Sequence, residues 1–125
     1  MVQFIRKHSK EGEIDMKHLI IVKFKENVWA RESEASREML ADIREIFDRT
    51  KQIEGRRQRQ MCIRDSVHTV NIYENVTPRP NRHDLMIEME MAQEALPVYD
   101  DSAAHQEWKA KYGEYIQTKT IFDYE

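Results

Sequence analysis

The chain has 125 residues, 40% of them hydrophobic and 34% charged, which is enough for one domain with an apolar core and a solvated surface. It contains no run of the ~18–20 apolar residues that a membrane span needs, and no apolar stretch near its start that would form a signal peptide. The net charge is -3 and the basic residues cluster only between Arg56 and Arg64, which argues against a nucleic-acid partner. The single cysteine cannot form an internal disulfide and fits a reducing compartment, so a cytoplasmic protein is expected.

The first half of the chain predicts a strand followed by a helix. Residues 17–25 are rich in β-branched and aromatic side chains, with His18, Ile20, Val22 and Phe24 on one face. The other face begins with Leu19 and Ile21, so this strand should be covered on both sides. Residues 31–53 change to helical spacing, with one apolar stripe and a charged opposite face.

The second half predicts three further strands and two helices. Residues 67–74 and 84–91 alternate as strands, and the loop 75–82 between them contains two prolines. A short helix around residues 92–96 should end at Pro97, and a longer one should cover 102–116 with Asp100 or Asp101 as its cap. Residues 118–124 form the last strand. The order β-α-β-β-α-β predicts an α+β, ferredoxin-like fold with both helices on one face of the sheet, so the other face needs a cover.

Two segments do not fit this plan. Residues 1–15 precede a second methionine, Met16, and are expected to form a flexible N-terminal extension, which leaves 16–125 as the domain. Residues 56–66 lengthen a helix-to-strand connection that usually takes ~2–6 residues. Their sequence QRQMCIRDS resembles a peptide read from sequencing-adapter DNA, so the segment is either a foreign insert or a basic surface loop. Cys62, the single cysteine, lies within it and is given no role.

Four short segments carry a family resemblance. They are residues 16–26 (MKHLIIVKFKE), 73–77 (YENVT), 99–108 (YDDSAAHQEW) and 121–124 (IFDY). Together they resemble the stress-responsive dimeric α/β-barrel family, Dabb. The resemblance implies a homodimer in which two four-stranded sheets close into an eight-stranded barrel with the helices outside. A second copy would then cover the face of the sheet that the helices leave open.

The same resemblance suggests site residues. The family is similar to plant polyketide cyclases, such as the enzyme that forms olivetolic acid, which use a tyrosine and a histidine six residues apart; Tyr99 and His105 match that spacing. A histidine can take an acidic proton between two carbonyls, and a phenol can donate a hydrogen bond to the oxyanion that develops. His18, Val22, Phe24 and Trp108 are the residues expected to bind the ligand.

This sequence also departs from the family pattern. The turn before His105 reads Ser-Ala-Ala-His, where the family often has His-Pro-x-His. The cyclases also have a histidine in the third strand, and the matching position in this sequence is Asp84. His83 lies one residue earlier and therefore on the opposite face of the strand.

Three functions therefore stay open. The first is a homodimer that binds a small carbonyl or hydrophobic molecule in the barrel. The second is a cyclase-like enzyme using Tyr99 and His105, and the third is a cofactor-free monooxygenase of the related superfamily. No cofactor and no metal are expected. The three glycines are too scattered for a phosphate-binding loop, and His68 and His83 lack metal-ligand spacing.

Overall fold

The computed structural model describes residues 15–52 and 67–125. These residues form four strands and three α-helices, with short 3₁₀ turns at Arg49–Gln52, Gln93–Ala95 and Gly113–Tyr115. In chain order the elements are β1 (Asp15–Phe24), α1 (Glu34–Asp48), β2 (Val67–Glu74), β3 (Leu85–Ala92), α2 (Leu96–Asp100), α3 (Ala103–Tyr112) and β4 (Ile116–Tyr124).

The four strands make one antiparallel sheet in the order β2-β3-β1-β4. This is the topology of the ferredoxin-like fold, so the predicted α+β class and fold are confirmed. β1 lies in the centre of the sheet and β4 at one edge. Their register places His18 directly opposite Asp123, which matters for the site described below.

One face of the sheet packs against the helices and forms the core. Alternate residues of β1 and β3 point to this face because side chains alternate along a strand. The apolar stripe of α1 packs against these strand residues. Phe47 of α1 also contacts Trp108 of α3 edge to face, with ring centroids 5.0 Å apart. The buried residues that the sheet and α1 contribute include Ile20, Val22, Phe24, Ile87, Met89, Met91, Leu40, Ile43 and Ile46.

The opposite face of the sheet carries no helix in the described part of the chain. We call it the open face and define it by six apolar or aromatic side chains: Leu19, Ile21, Tyr73, Met86, Phe122 and Tyr124. Phe122 is 57% exposed, and Tyr73 and Tyr124 are each more than two-fifths exposed. The ion pair between Lys17 and Glu88 lies on the same face. In a single chain, large apolar side chains are therefore exposed on this side of the sheet.

Two local predictions about the second helical region were wrong. Pro97 does not end a helix but lies in the first turn of α2, where its missing N–H costs nothing because that donor has no partner within the helix. The N-cap of α3 is Ser102 instead of Asp100 or Asp101: its hydroxyl oxygen accepts a hydrogen bond from the backbone N–H of His105. His105 is therefore fixed in the first turn of α3.

Several predictions concern residues outside the described ranges. These are the N-terminal extension up to residue 14, the end of the first helix at Ile53, the 56–66 segment and Cys62. Asp15, which the sequence placed in the extension, is the first residue of β1. No helix among the described residues is long and apolar enough to cross a bilayer.

Candidate functional site

A cavity of about 310 Å³ lies between β1, β4 and the helices α2 and α3. Four of the predicted site residues line it: His18, Tyr99, His105 and Trp108. The remaining lining residues were not predicted, and they are Ile20, Leu96, Asp100, Lys119, Ile121 and Asp123. The cavity thus combines an apolar wall with two imidazoles and a phenol. A larger groove of about 480 Å³ between α1 and β2 has no histidine in its lining and so no group that titrates near neutral pH.

Tyr99 is a buried phenol with no hydrogen-bond partner for its hydroxyl among residues 15–52 and 67–125. Tyr99 lies on α2, is only 1% exposed and lines the cavity. Burial raises the pKa of this phenol well above its usual value, with a further contribution from the negative charge of Asp100. The hydroxyl is therefore protonated at neutral pH and has a proton to donate to a ligand.

His105 is held as a neutral imidazole with a defined tautomer. Its Nδ1 lies 3.0 Å from the backbone carbonyl oxygen of Asp100, so Nδ1 carries the proton and donates it. The lone pair is then on Nε2. Burial lowers the pKa of His105, and the charges of Lys109 and Lys119 lower it further, against an opposing effect of the Asp100 hydrogen bond. At neutral pH His105 is consequently a base and not a cation.

His18 belongs to a second polar pair in the same cavity. Its ring is 6% exposed, and its Nδ1 lies 2.5 Å from the Asp123 carboxylate on the neighbouring strand. The Tyr99 ring contacts both histidines, with its centroid 5.6 Å from that of His18 and 4.6 Å from that of His105. The structure therefore brings all three predicted polar site residues together and adds Asp123 to them.

The predicted apolar site residues divide into two groups. Trp108 lines the cavity and is almost fully buried. Val22 and Phe24 are in the core and are not part of the cavity lining; Phe24 stacks on Trp29 with ring centroids 5.5 Å apart. Both are on the same face of β1 as His18, but they lie towards the other end of the strand. Sharing a strand face was therefore not enough to place them in the cavity.

The cavity lies on the helix-covered side of the sheet. The sequence predicted a ligand in the barrel, which a second copy would close over the open face. The cavity residues instead point away from the open face, so the space that two facing sheets would enclose does not contain them. Asp84 is also outside the cavity lining, because its carboxylate accepts a hydrogen bond from the backbone N–H of Phe24.

No protein-family model matches the chain, and no curated protein matches it. Solved structures do match. A Dabb family protein with a ferredoxin-like fold from Mesorhizobium loti has 18% sequence identity and a TM-score of 0.61, over 89% of this chain and 95% of that one. A dimeric ferredoxin-like protein of unknown function from Thermobifida fusca has 6% identity and a TM-score of 0.63, over 90% and 92% of the two chains.

A hydroxynitrile lyase from Passiflora edulis is also similar, with 10% identity and a TM-score of 0.60 over 88% of this chain and 91% of the lyase. At these identities the likeness is one of fold. Together with the observed strand order, the three comparisons show that the chain has a ferredoxin-like fold, similar to that of the Dabb family protein.

Proposed function

We propose that this chain is a Dabb family protein that binds a small carbonyl or hydrophobic molecule in the cavity beside Tyr99 and His105. We place the functional domain at residues 16–125. The observation that carries the proposal is the Tyr99 hydroxyl, which is buried at the cavity wall without a partner in the described residues. A ligand whose carbonyl oxygen accepts the hydrogen bond from Tyr99 would satisfy this donor.

The surroundings of Tyr99 suit a small, mostly apolar molecule. Ile20, Leu96, Trp108 and Ile121 supply apolar wall, and ligand sites typically combine such a wall with a few polar groups that fix orientation. An unpaired buried hydroxyl costs roughly 1–3 kcal/mol, and this cost is recovered when a ligand oxygen accepts its proton. The cavity therefore favours carbonyl compounds over hydrocarbons of the same size.

Catalysis by Tyr99 and His105 is the second candidate, and the tautomer of His105 favours it. The free Nε2 lone pair of a neutral His105 can take an acidic proton from the carbon next to a carbonyl, while Tyr99 donates to the oxygen that becomes negative. In a cyclase-like reaction the carbanion would then attack a second carbonyl of the same ligand. Turnover of linear β-dicarbonyl compounds at no more than the solution rate would contradict cyclisation and leave binding unaffected.

We further propose that two copies associate through the open face. Leu19, Ile21 and Phe122 are typical of a surface that packs against another protein surface. The similar protein from Thermobifida fusca is described as dimeric, and an open face paired with itself is the isologous arrangement of a two-fold dimer.

The binding proposal is tested with 2-pentanone and two conservative variants. Tyr99→Phe keeps the ring but removes the hydroxyl, so the affinity for 2-pentanone, measured by NMR titration, should fall by a factor of about 2–10. The stability of the ligand-free variant should be unchanged or raised, because the unpaired hydroxyl is gone. Tyr115→Phe is the matched control, since Tyr115 is 41% exposed and outside the cavity lining. Equal affinities in the two variants would contradict the proposal.

A further inference from the structure

The pair formed by His18 and Asp123 has a geometry that the Tyr99 and His105 assignment does not use. Asp123 lies at the Nδ1 side of His18, and this short contact orients the ring and keeps the proton on Nδ1. The Nε2 atom of His18 makes no hydrogen bond with any residue in the described ranges, and His18 lines the cavity. His18 therefore offers Nε2 to a ligand.

We propose that His18, oriented by the Asp123 carboxylate, is the general acid of this cavity and acts opposite the general base His105. The inference rests on the proposed binding of carbonyl compounds and adds a reaction to it: acid–base enolisation of the bound carbonyl. Asp123 is the positioning residue, because it acts on the ligand only through His18.

The environments of the two histidines differ in the way that an acid and a base require. Burial lowers the pKa of His105, and the charges of Lys109 and Lys119 lower it further, so its ring is neutral at pH 7. His18 has a carboxylate as its partner, which neutralises the positive charge of the ring when Nε2 is protonated. Two imidazoles of the same type are thus assigned opposite roles by their surroundings.

The charged and titratable groups that face His18 come from three elements. Asp123 and Lys119 lie on β4, Tyr99 and Asp100 on α2, and His105 on α3. The Asp123 carboxylate contacts the His18 imidazole, and the Tyr99 ring contacts both histidines. A ligand oxygen that accepts a hydrogen bond from Tyr99 would therefore lie near both imidazoles.

The proposed step balances without any further reactant. His105 Nε2 takes a proton from the carbon next to the carbonyl, and the electron pair of that C–H bond forms the carbon–carbon double bond of the enol. The π pair of the carbonyl moves to oxygen, which takes the Nε2 proton of the His18 imidazolium while accepting a hydrogen bond from Tyr99. The reverse step, in heavy water, returns a deuteron to carbon.

The experiment measures exchange of the α hydrogens of 2-pentanone in heavy water by proton NMR. Asp123→Asn keeps the size of the side chain but removes its charge, and exchange at pH 7 should fall by about 10²-fold because general acid catalysis is worth ~10²–10⁴-fold. Asp123→Glu, which restores the charge, should recover part of the exchange rate.

A second His–Asp pair in the same chain supplies the control. His68 lies with its Nδ1 3.6 Å from Asp15, outside the cavity lining, so Asp15→Asn should leave the exchange rate unchanged. His18→Gln should lower exchange as Asp123→Asn does, and the Asp123 variants keep the test decisive if that buried substitution unfolds the protein.

The outcomes separate the two proposals. If 2-pentanone binds the wild type but its α hydrogens do not exchange, the inference is wrong. It is also wrong if exchange is lost in His105→Gln but kept in Asp123→Asn, because His18 is then not the acid. If 2-pentanone does not bind at all, the proposed binding function is wrong, and the inference falls with it.

Discussion

At the scale of single residues, the proposed chemistry depends on the surroundings that the fold gives to two side chains, Tyr99 and His105. Tyr99 and His105 are six positions apart in sequence, and a helix junction, not a single helix, brings their rings to 4.6 Å. The same spacing on an exposed loop would give a phenol and an imidazole with ordinary protonation. Burial raises the pKa of the phenol, which therefore keeps its proton, and lowers the pKa of the imidazole, which is therefore a neutral base.

The neutral state of His105 predicts how stability depends on pH. In the unfolded chain a histidine takes up a proton near pH 6.5, whereas the folded pKa of His105 is lower. As pH falls through 6.5, the unfolded state binds this proton first, so acidification should reduce the free energy of unfolding. His105→Gln has no such proton. Urea unfolding at pH 7.5 and 5.5 should therefore show a smaller loss in the variant than in the wild type, and an equal loss would contradict the assignment.

At the scale of secondary structure, the short segment between β3 and α3 positions the site. Pro97 starts α2, α2 delivers Tyr99, and Ser102 starts α3 three residues before His105. The Asp100 carbonyl at the end of α2 then receives the His105 imidazole. One cap and one carbonyl thus fix the ring in its tautomer.

The Ser102 cap gives a prediction at this scale. Ser102→Ala removes the acceptor for the backbone N–H of His105, so the free energy of unfolding should fall by roughly 0.5–2 kcal/mol. Because the first turn of α3 also carries the His105 ring, the affinity for 2-pentanone should fall with it. Ser102→Asp retains a capping oxygen and should recover both quantities in urea unfolding and NMR titration. If Ser102→Ala lowers the free energy of unfolding but leaves the affinity for 2-pentanone unchanged, the cap does not position the site and the prediction is wrong.

Local sequence patterns were sufficient for the strands and for α1. The alternation in residues 67–74 and the apolar stripe of the first helix follow directly from the periods of strand and helix. Pro97 was misread because proline both stops helices and begins them, and the residues before it do not decide between the two. The missed role of Asp123 has a different cause: it faces His18 across 105 positions of sequence, and only the register of β1 with β4 brings them together.

At the scale of the whole molecule, the sheet separates two kinds of surface. The helix-covered side contains the core and the cavity, and the open face contains Phe122 and Tyr124 in water. Because the cavity is formed within one chain, a second copy on the open face would add stability without adding a lining residue to the site. Dimerisation and ligand binding should then be separable by substitution.

The open face gives the last prediction. Sedimentation at micromolar concentration should yield about twice the chain mass of 15.1 kDa. Phe122→Lys places a charge within the proposed interface, next to Leu19 on the neighbouring strand, and should shift the protein to the monomer because an unpaired buried charge costs several kcal/mol. Val76→Lys is the matched control, since Val76 is 65% exposed and lies in the loop between β2 and β3.

The same two variants test the separation of dimer and site. If the cavity belongs to one chain, the Phe122→Lys monomer should bind 2-pentanone with an affinity close to that of the wild type, provided that circular dichroism shows it to be folded. A wild type that sediments as a monomer would instead mean that water covers the open face, and the apolar residues there would then need another partner. A folded monomer that has lost binding would mean that the partner copy supports α2 or β4, the two elements that carry Tyr99 and Asp123.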